Sequence, residues 1–521
     1  MSETLSTDQP QTIAKSALSF LSGTMVSRVT GLIRDMSMAC FFGTTPSIAA
    51  FFVALRFAIL IRRILGEGAL LNGFVPYFES HRKTDPKHAA LFFRDIFFSL
   101  SLFLFALIAV VELLLYFCFE ANQIIYLVML ILPGIPFICL FGICSGLLHC
   151  EKYFFLTGVA PVAYNLIWIA AVWVFRNELP ETAAVCLSMA ISFAFFTQLL
   201  ITLPKTFSFA RQFLSWKEFF QVRFFSSEIR TMLASLSLGV IGVTASQISS
   251  AIDTLFSRYS CLEGPAYLNY ALHLQQLPLA LFGIGISSAL LPPLSRAFAS
   301  DDQKQSKSLL EFAISNSMLL ILPCTIAIFV LGSASVNLIY GRGDFSSLSA
   351  LQTTYCLWGY GLGLTPMVFT LLLAPAFYAK KDYRTPTLIS LTSIGLSLCL
   401  NTLLIFVFHF GPASLAFSTS LTACLNAYLL FRQLAQKTGI SFSPGFFQSI
   451  GKTVICSVIA GMLTFWVDTL YIEDHFVRGF GKQFSQFIVL FIVFSIGFIG
   501  SALLLKREEL FNLFGTKLES R

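Results

Sequence analysis

Arg28, Arg34, Arg56, Arg62 and Arg63 lie inside the first two long apolar segments of a chain whose other charges sit mainly in short loops. One cation at mid-bilayer costs on the order of 3 kcal/mol by insertion scales, so five together imply a wet interior that meets an anion. At 100° per residue, Arg28 and Asp35 fall within about 20° of each other, as do Arg56 and Arg63, with Glu67 one turn further on. Arg34 and Arg62 point away by roughly 120°. The expected pairs are therefore Arg28 with Asp35 and Arg63 with Glu67, which would fasten the helices or serve the site. Five arginines against two acids leave an excess of about three positive charges, suited to phosphate or carboxylate ligands that guanidinium groups grip bidentately.

Composition says what positions these residues. Apolar residues make up 56% of the 521, charged residues 12%, and the mean hydropathy is +0.78. Soluble domains carry roughly 25% charged residues, so this surface calls for lipid. About fourteen runs are long enough to cross a ~30 Å hydrocarbon core. They fall near 14–42, 47–78, 96–119, 123–150, 154–175, 182–203, 229–257, 265–297, 309–339, 348–379, 386–409, 412–434, 449–471 and 484–505. The fold class expected is an all-α polytopic membrane protein. The polar N-terminal stretch MSETLSTDQPQT lacks the basic region and cleavage site of a signal peptide, so the first span is expected to be retained.

The second span ends GEGALLNGFVPYFESHRKTD (Gly66–Asp85) and the eighth GIGISSALLPPLSRAFASDD (Gly283–Asp302), with glycines, Pro76 and Pro293 corresponding at one constant offset. Such duplication predicts two six-helix lobes around a central cavity, as in alternating-access transporters, plus two C-terminal helices. Boundaries are expected at 1–227, 228–440 and 441–521. Gly66, Gly68, Pro76, Gly283 and Gly285 interrupt matching spans and read as hinges or as close packing through small residues. Ser215–Arg230 (SWKEFFQVRFFSSEIR) alternates aromatics with charges and reads as an interfacial helix or a solvated connector.

Cys139, Cys144, His149 and Cys150 look like a metal cluster but diverge around one helix, and no paired CxxC completes a tetrahedral site. No HExxH, GxSxG or GxxxxGKS occurs, so no enzyme is expected and energy would come from an ion gradient or the membrane potential. The net charge of +7 reads as a topology signal with attraction to membrane lipids, and no nucleic acid is implied.

The strings SRVTGLIRD (Ser27–Asp35), FFVALR (Phe51–Arg56), RRILGEGALLNGFVPYF (Arg62–Phe78), LLPPLSRAFAS (Leu290–Ser300), YGRGDF (Tyr340–Phe345) and LAPAFYAKKDYRTP (Leu373–Pro386), in this order, resemble the MurJ/MviN family. The resemblance implies a flippase for lipid II, the undecaprenyl-pyrophosphate-linked disaccharide-pentapeptide precursor of peptidoglycan, in the bacterial inner membrane. It implies the fold of the multidrug/oligosaccharidyl-lipid/polysaccharide exporters, with the last two helices forming a groove for the lipid tail. Arg28, Arg34, Asp35 and Arg62 match functionally important family positions; cell-wall synthesis proteins are further expected partners.

Two departures stand out. Many relatives carry Asp-Arg where this chain has Leu272-His273, making the second lobe's cavity cation a titratable imidazole. Relatives' Leu-Pro-Asn after Arg56 is here Phe57-Ala58-Ile59. Some members bind sodium, and Asp253, Ser397, Asn401 and Thr419, with Ser418 as an alternative, match such a site; Asp253 could instead partner His273. Other readings are a flippase for a different undecaprenyl-linked glycan, a cation-coupled small-molecule exporter, or a membrane scaffold that would tolerate loss of the arginines.

Lysine and arginine set the orientation. Inner loops and both termini collect about two dozen of the 34 basic residues if the N-terminus is cytoplasmic. With background thiols removed, Glu178→Cys and Arg478→Cys should label from outside intact cells and Lys83→Cys should not. The opposite pattern would invert the topology.

Overall fold

The computed structural model describes the backbone of 10–505 apart from 65–68, 83, 119–121, 285–289, 291–292, 295, 299–301, 381, 440–441 and 473. Within its helices the side chains described leave aside 10–22, 69–73, 118, 231, 233–246, 281, 283–284 and 438. Every regular element among these residues is helical. The chain falls into two compact units, Met1–Ala251 and Ile252–Arg521.

The first unit holds α1 (Pro10–Phe42), α2 (Pro46–Arg62), α3 (Ala69–Arg82), α4 (Pro86–Cys118), α5 (Gln123–Ile131), α6 (Ile135–Cys150), α7 (Phe154–Val174), α8 (Pro180–Phe213) and the short α9 (Trp216–Phe220). The unit boundary falls within α10 (Ser227–Ser260). The second holds α11 (Gly264–Pro278), α12 (Gln303–Tyr340), α13 (Ser347–Ala379), α14 (Arg384–Thr402), α15 (Ala413–Thr438), α16 (Pro444–Tyr471) and α17 (Phe480–Leu504). Prolines open α2, α8 and α16, where the missing N–H has no helical partner to lose. Asn122, Ser346 and Ser443 cap α5, α13 and α16, and Gly439 ends α15 at φ +65°.

Ten helical segments among the described residues are long and apolar enough to cross a membrane. They coincide with expected runs three to six and nine to fourteen. The runs near 47–78 and 265–297 are instead interrupted. After α2 the chain enters a π-type turn at 63–64, and after α11 it follows a π-helix over Leu279–Ile284. The constant offset between the repeats brings these two breaks into register. Gly283 lies in the second break and exposed Pro76 lies in α3; Gly66, Gly68 and Gly285 lie outside the described residues. The run near 123–150 is also divided, by a 3₁₀ turn at Leu132–Gly134. Pro133 cannot donate, and Ser192 of α8 places Oγ 2.7 Å from the Leu130 carbonyl and 3.0 Å from that of Ile131.

Between lipid-facing helices small residues replace the hydrophobic effect as the packing device, because they let backbones approach. On α13, Gly359 and Gly363 (i, i+4) face Ala416 and Ser420 (i, i+4) of α15; a Cβ on Gly359 would stand 2.8 Å from Ala416 Cβ. The Ser420 hydroxyl donates to the Gly359 carbonyl at 2.6 Å. On α16, a Cβ on Gly461 would stand 2.6 Å from Ile326 of α12. The C-terminal pair is also tied to α12 by polar contacts at both ends. Glu311 accepts the Ser443 N–H at 2.6 Å, while buried Gln483 donates to Asn337 Oδ1 at 3.3 Å and to the Gly341 and Val477 carbonyls.

Gly359→Leu should therefore separate α13 from α15 at a cost of about 1–3 kcal/mol or more, seen as a lower melting temperature in detergent. Gly395→Ala, where an added Cβ meets nothing within 4 Å, is the control. Equal melting temperatures for both variants would contradict this packing.

Candidate functional site

The charged site of the first unit is built on the seam between α1 and α7. That seam is tight because a Cβ on Gly23 would stand 3.0 Å from the Gly158 carbonyl carbon. Within it the Arg34 guanidinium donates to Asp35 Oδ1 through Nε at 2.9 Å and Nη2 at 2.7 Å, and through Nη1 to Asn165 Oδ1 at 3.0 Å. Its carbon lies 4.3 Å from the centre of the Trp168 ring. Asn165 and Trp168 are three residues apart on α7 and so share a face. The Asn165 amide in turn donates to the Ser27 carbonyl at 2.9 Å and to Thr30 Oγ1 at 3.0 Å. Trp168 is fixed by Phe51 of α2, edge-on at 5.6 Å, and by Tyr164 at 5.7 Å. A charge that would be costly in an apolar bundle thus has a carboxylate, an amide and an aromatic face around it.

This arrangement corrects the expected pairing. The guanidinium on Asp35 belongs to neighbouring Arg34, which the helical wheel had left in the unpaired excess, whereas Arg28 is exposed. Side chains at i and i+1 leave a helix about 100° apart, but arginine is long enough to fold back, and α7 rewards that rotamer with two further contacts. Arg56, Arg62 and Arg63 are half-buried on α2 and in the turn after it. Tyr164 lies within electrostatic reach of Arg34, Arg62 and Asp35, so α1, α2 and α7 bring these groups together. Glu67, the expected partner of Arg63, lies outside the described residues.

Asn165, Trp168 and Tyr164 were not singled out from sequence. One signal was present: in FFLTGVAPVAYNLIWIAAVWV, Asn165 is the lone amide of an apolar helix, and an intramembrane polar group demands a partner.

In the second unit His273 is half-buried on α11. Buried Asp253 of α10 accepts from Asn401 Nδ2 of α14 at 2.6 Å and from Thr419 Oγ1 of α15 at 2.8 Å. Asn401 Oδ1, Ser397 Oγ and Ser418 Oγ are buried beside these contacts in sequence, without hydrogen-bond partners. A carboxylate with unsatisfied neutral oxygens on the same three helices is a donor set that fits a hard monovalent cation. The residues expected to hold sodium thus converge in part, through Asp253, Asn401 and Thr419. Among the described residues no group of three or more His, Cys, Asp or Glu could hold a metal, and Cys139 and Cys144 are buried in α6.

A family model described as lipid II flippase MurJ matches residues 38–486. A protein of Chlamydia trachomatis named probable lipid II flippase MurJ is 31% identical over 527 residues, covering 97% of each chain. A Burkholderia cenocepacia protein named lipid II flippase MurJ is 28% identical, covering 86% of this chain and 89% of its own. Among solved structures, lipid II flippase MurJ in an inward closed conformation superposes with a TM-score of 0.74 at 20% identity, covering 93% of this chain and 99% of that one. An inward-facing multidrug transporter of the MATE family superposes at 0.61 with 12% identity, covering 81% of this chain and 98% of its own. With the model matched over most of its length, and with an all-helical membrane fold to match, the chain belongs to the MurJ family.

Proposed function

We propose that this protein flips lipid II from the inner to the outer leaflet of the bacterial cytoplasmic membrane, and that the arginines of its first unit bind the pyrophosphate. The observation that carries the reading is the Arg34 assembly, in which Asp35, Asn165 and Trp168 hold a guanidinium within the helix seam of a MurJ family chain. A fixed, partly desolvated guanidinium interacts far more strongly with a phosphate than a hydrated one does. Exposed Arg28 and half-buried Arg62, with Arg56 and Arg63, extend the cationic lining. The polyprenyl chain stays in lipid while the head group is carried, so no covalent step is needed and none of these residues acts as a catalyst. The named relatives favour lipid II over another lipid-linked glycan or a small molecule.

The same reading takes α1, the interrupted α2–α3, α10 and the interrupted α11 as four further spans, giving fourteen with both termini cytoplasmic. These four carry Arg28, Arg34, Arg62, Asp253 and His273, and two of them, α2 with 17 residues and α11 with 15, are short because the breaks divide their runs. The π-helical breaks after α2 and α11 supply backbone that can change conformation as the site is exposed alternately to the two sides. His273 would contribute the second unit's cation. Asp253, Asn401 and Thr419, with Ser397, would hold sodium, whose gradient supplies the energy.

Arg28→Ala, Arg34→Ala and Arg62→Ala should each fail to support growth of cells depleted of their own MurJ, although the proteins insert. Arg28→Ala should keep the wild-type melting temperature. Arg34→Ala should lower it by the equivalent of about 3 kcal/mol, because the buried Asp35 carboxylate loses the Arg34 guanidinium. Complementation by all three would sink the substrate-site reading. For sodium, replacing potassium chloride with sodium chloride should raise the melting temperature of the wild type and leave that of Asp253→Asn unmoved. An equal response in both proteins would remove the ion from the account.

A further inference from the structure

The segment joining the eighth and tenth helices has one face docked and one face bare. Phe219 of α9 is buried edge-on against Phe98 of α4 and Phe207 of α8, at 5.6 and 5.5 Å between ring centres. Polar contacts fix the backbone around it. Arg94 and Asp95 of α4 form a buried ion pair, the Arg94 guanidinium donates to the Glu218 carbonyl, and Asp95 Oδ1 accepts the Arg223 N–H at 3.0 Å. Ser99 Oγ accepts the N–H of Phe225, whose φ of +50° is rare for an aromatic residue. The Lys87 ammonium and the Ser215 N–H and hydroxyl hold the Glu218 carboxyl down at about 2, so this link is complete at neutral pH.

The opposite face carries what a docked connector does not need. Trp216 and Phe220, stacked with centres 6.2 Å apart, are 61% and 68% exposed, and Phe224 and Phe225 are exposed beside them in sequence. The Arg211 guanidinium lies 4.7 Å from the Trp216 ring centre, and Lys217 and Arg223 are exposed next to these aromatics in sequence. The acids of the segment are engaged elsewhere, Glu218 by Lys87 and Glu228 by His88 at 3.1 Å. Four outward aromatics among cations, on a backbone strained to present one of them, match the boundary between acyl chains and anionic headgroups in both polarity and charge.

We propose that this face is a membrane-surface anchor. In it Trp216, Phe220, Phe224 and Phe225 enter the headgroup–acyl boundary, and Arg211, Lys217 and Arg223 bind the phosphates of anionic phospholipids. It is separate from the Arg34 site and concerns bulk lipid rather than the transported molecule. Because the Arg94–Asp95 pair fastens the segment to α4, the anchor fixes the point from which α10 departs.

Full-length protein in nanodiscs tests this with lipids brominated at the headgroup end of their chains. The Trp216 emission, taken as wild type minus Trp216→Phe, should be quenched, and more strongly when phosphatidylglycerol is added to phosphatidylcholine. The variant Arg211→Gln/Lys217→Gln/Arg223→Gln, altered only at exposed side chains, should lose the phosphatidylglycerol increment while keeping the quenching in phosphatidylcholine. Absence of quenching in both lipids would overturn the anchor and leave the face to a soluble acidic partner. An increment that survives neutralisation, or no increment in the wild type, would overturn the assignment to anionic lipid.

Discussion

A guanidinium inside an apolar helix bundle must be answered at every side, and the first unit is arranged around that requirement. Arg34 has a carboxylate on its own helix, an amide and an indole on α7, and the indole is wedged by a phenylalanine of α2. Removing the carboxylate or the amide would take a partner from this buried guanidinium, at a cost of several kcal/mol. The small residues Gly23 and Gly158 follow from the same demand, since only a close approach of α1 and α7 brings Asn165 within 3.0 Å of the guanidinium. Packing and electrostatics are therefore carried by one cluster: the groups that make the charge tolerable also fix its orientation.

The second unit shows the same economy with opposite sign. Buried Asp253 receives hydrogen bonds from α14 and α15, while nearby neutral oxygens on those helices have none. The carboxylate thereby ties α10 to both of those helices. The C-terminal pair is attached by apolar packing, such as Gly461 on Ile326, and by the simpler polar contacts of Glu311, Asn337 and Gln483.

Much of the fold was legible because twenty-residue apolar runs have one meaning in a membrane. Ten of the expected runs reappear as membrane-length helices. The interruptions after α2 and α11 were foreshadowed by glycines and prolines recurring at one offset, whereas the 3₁₀ break at Pro133 was not drawn from its local sequence. The arginines stood out in the sequence because each is costly where it stands. Their partners were not, because a helical wheel ranks neighbours by backbone angle and knows neither the length of an arginine side chain nor which helix lies opposite. Asn165 was visible as an isolated amide, but only the contact with α1 gives it a role. The alternating aromatics and charges of Ser215–Arg230 allowed a solvated connector and an interfacial element equally, and the docking to α4 through the buried Arg94–Asp95 pair, which leaves Trp216 and Phe220 bare, was not readable from the segment itself.

The central proposal for this MurJ family protein is that its arginine-lined site carries lipid II across the membrane. The most direct test is to deplete the protein in its own cells and measure which lipid-linked precursor accumulates on the cytoplasmic face of the inner membrane. Accumulation of lipid II there, with its outer-leaflet pool falling in step, is the predicted result. Unchanged lipid II in both leaflets, or accumulation of a different lipid-linked glycan, would contradict it.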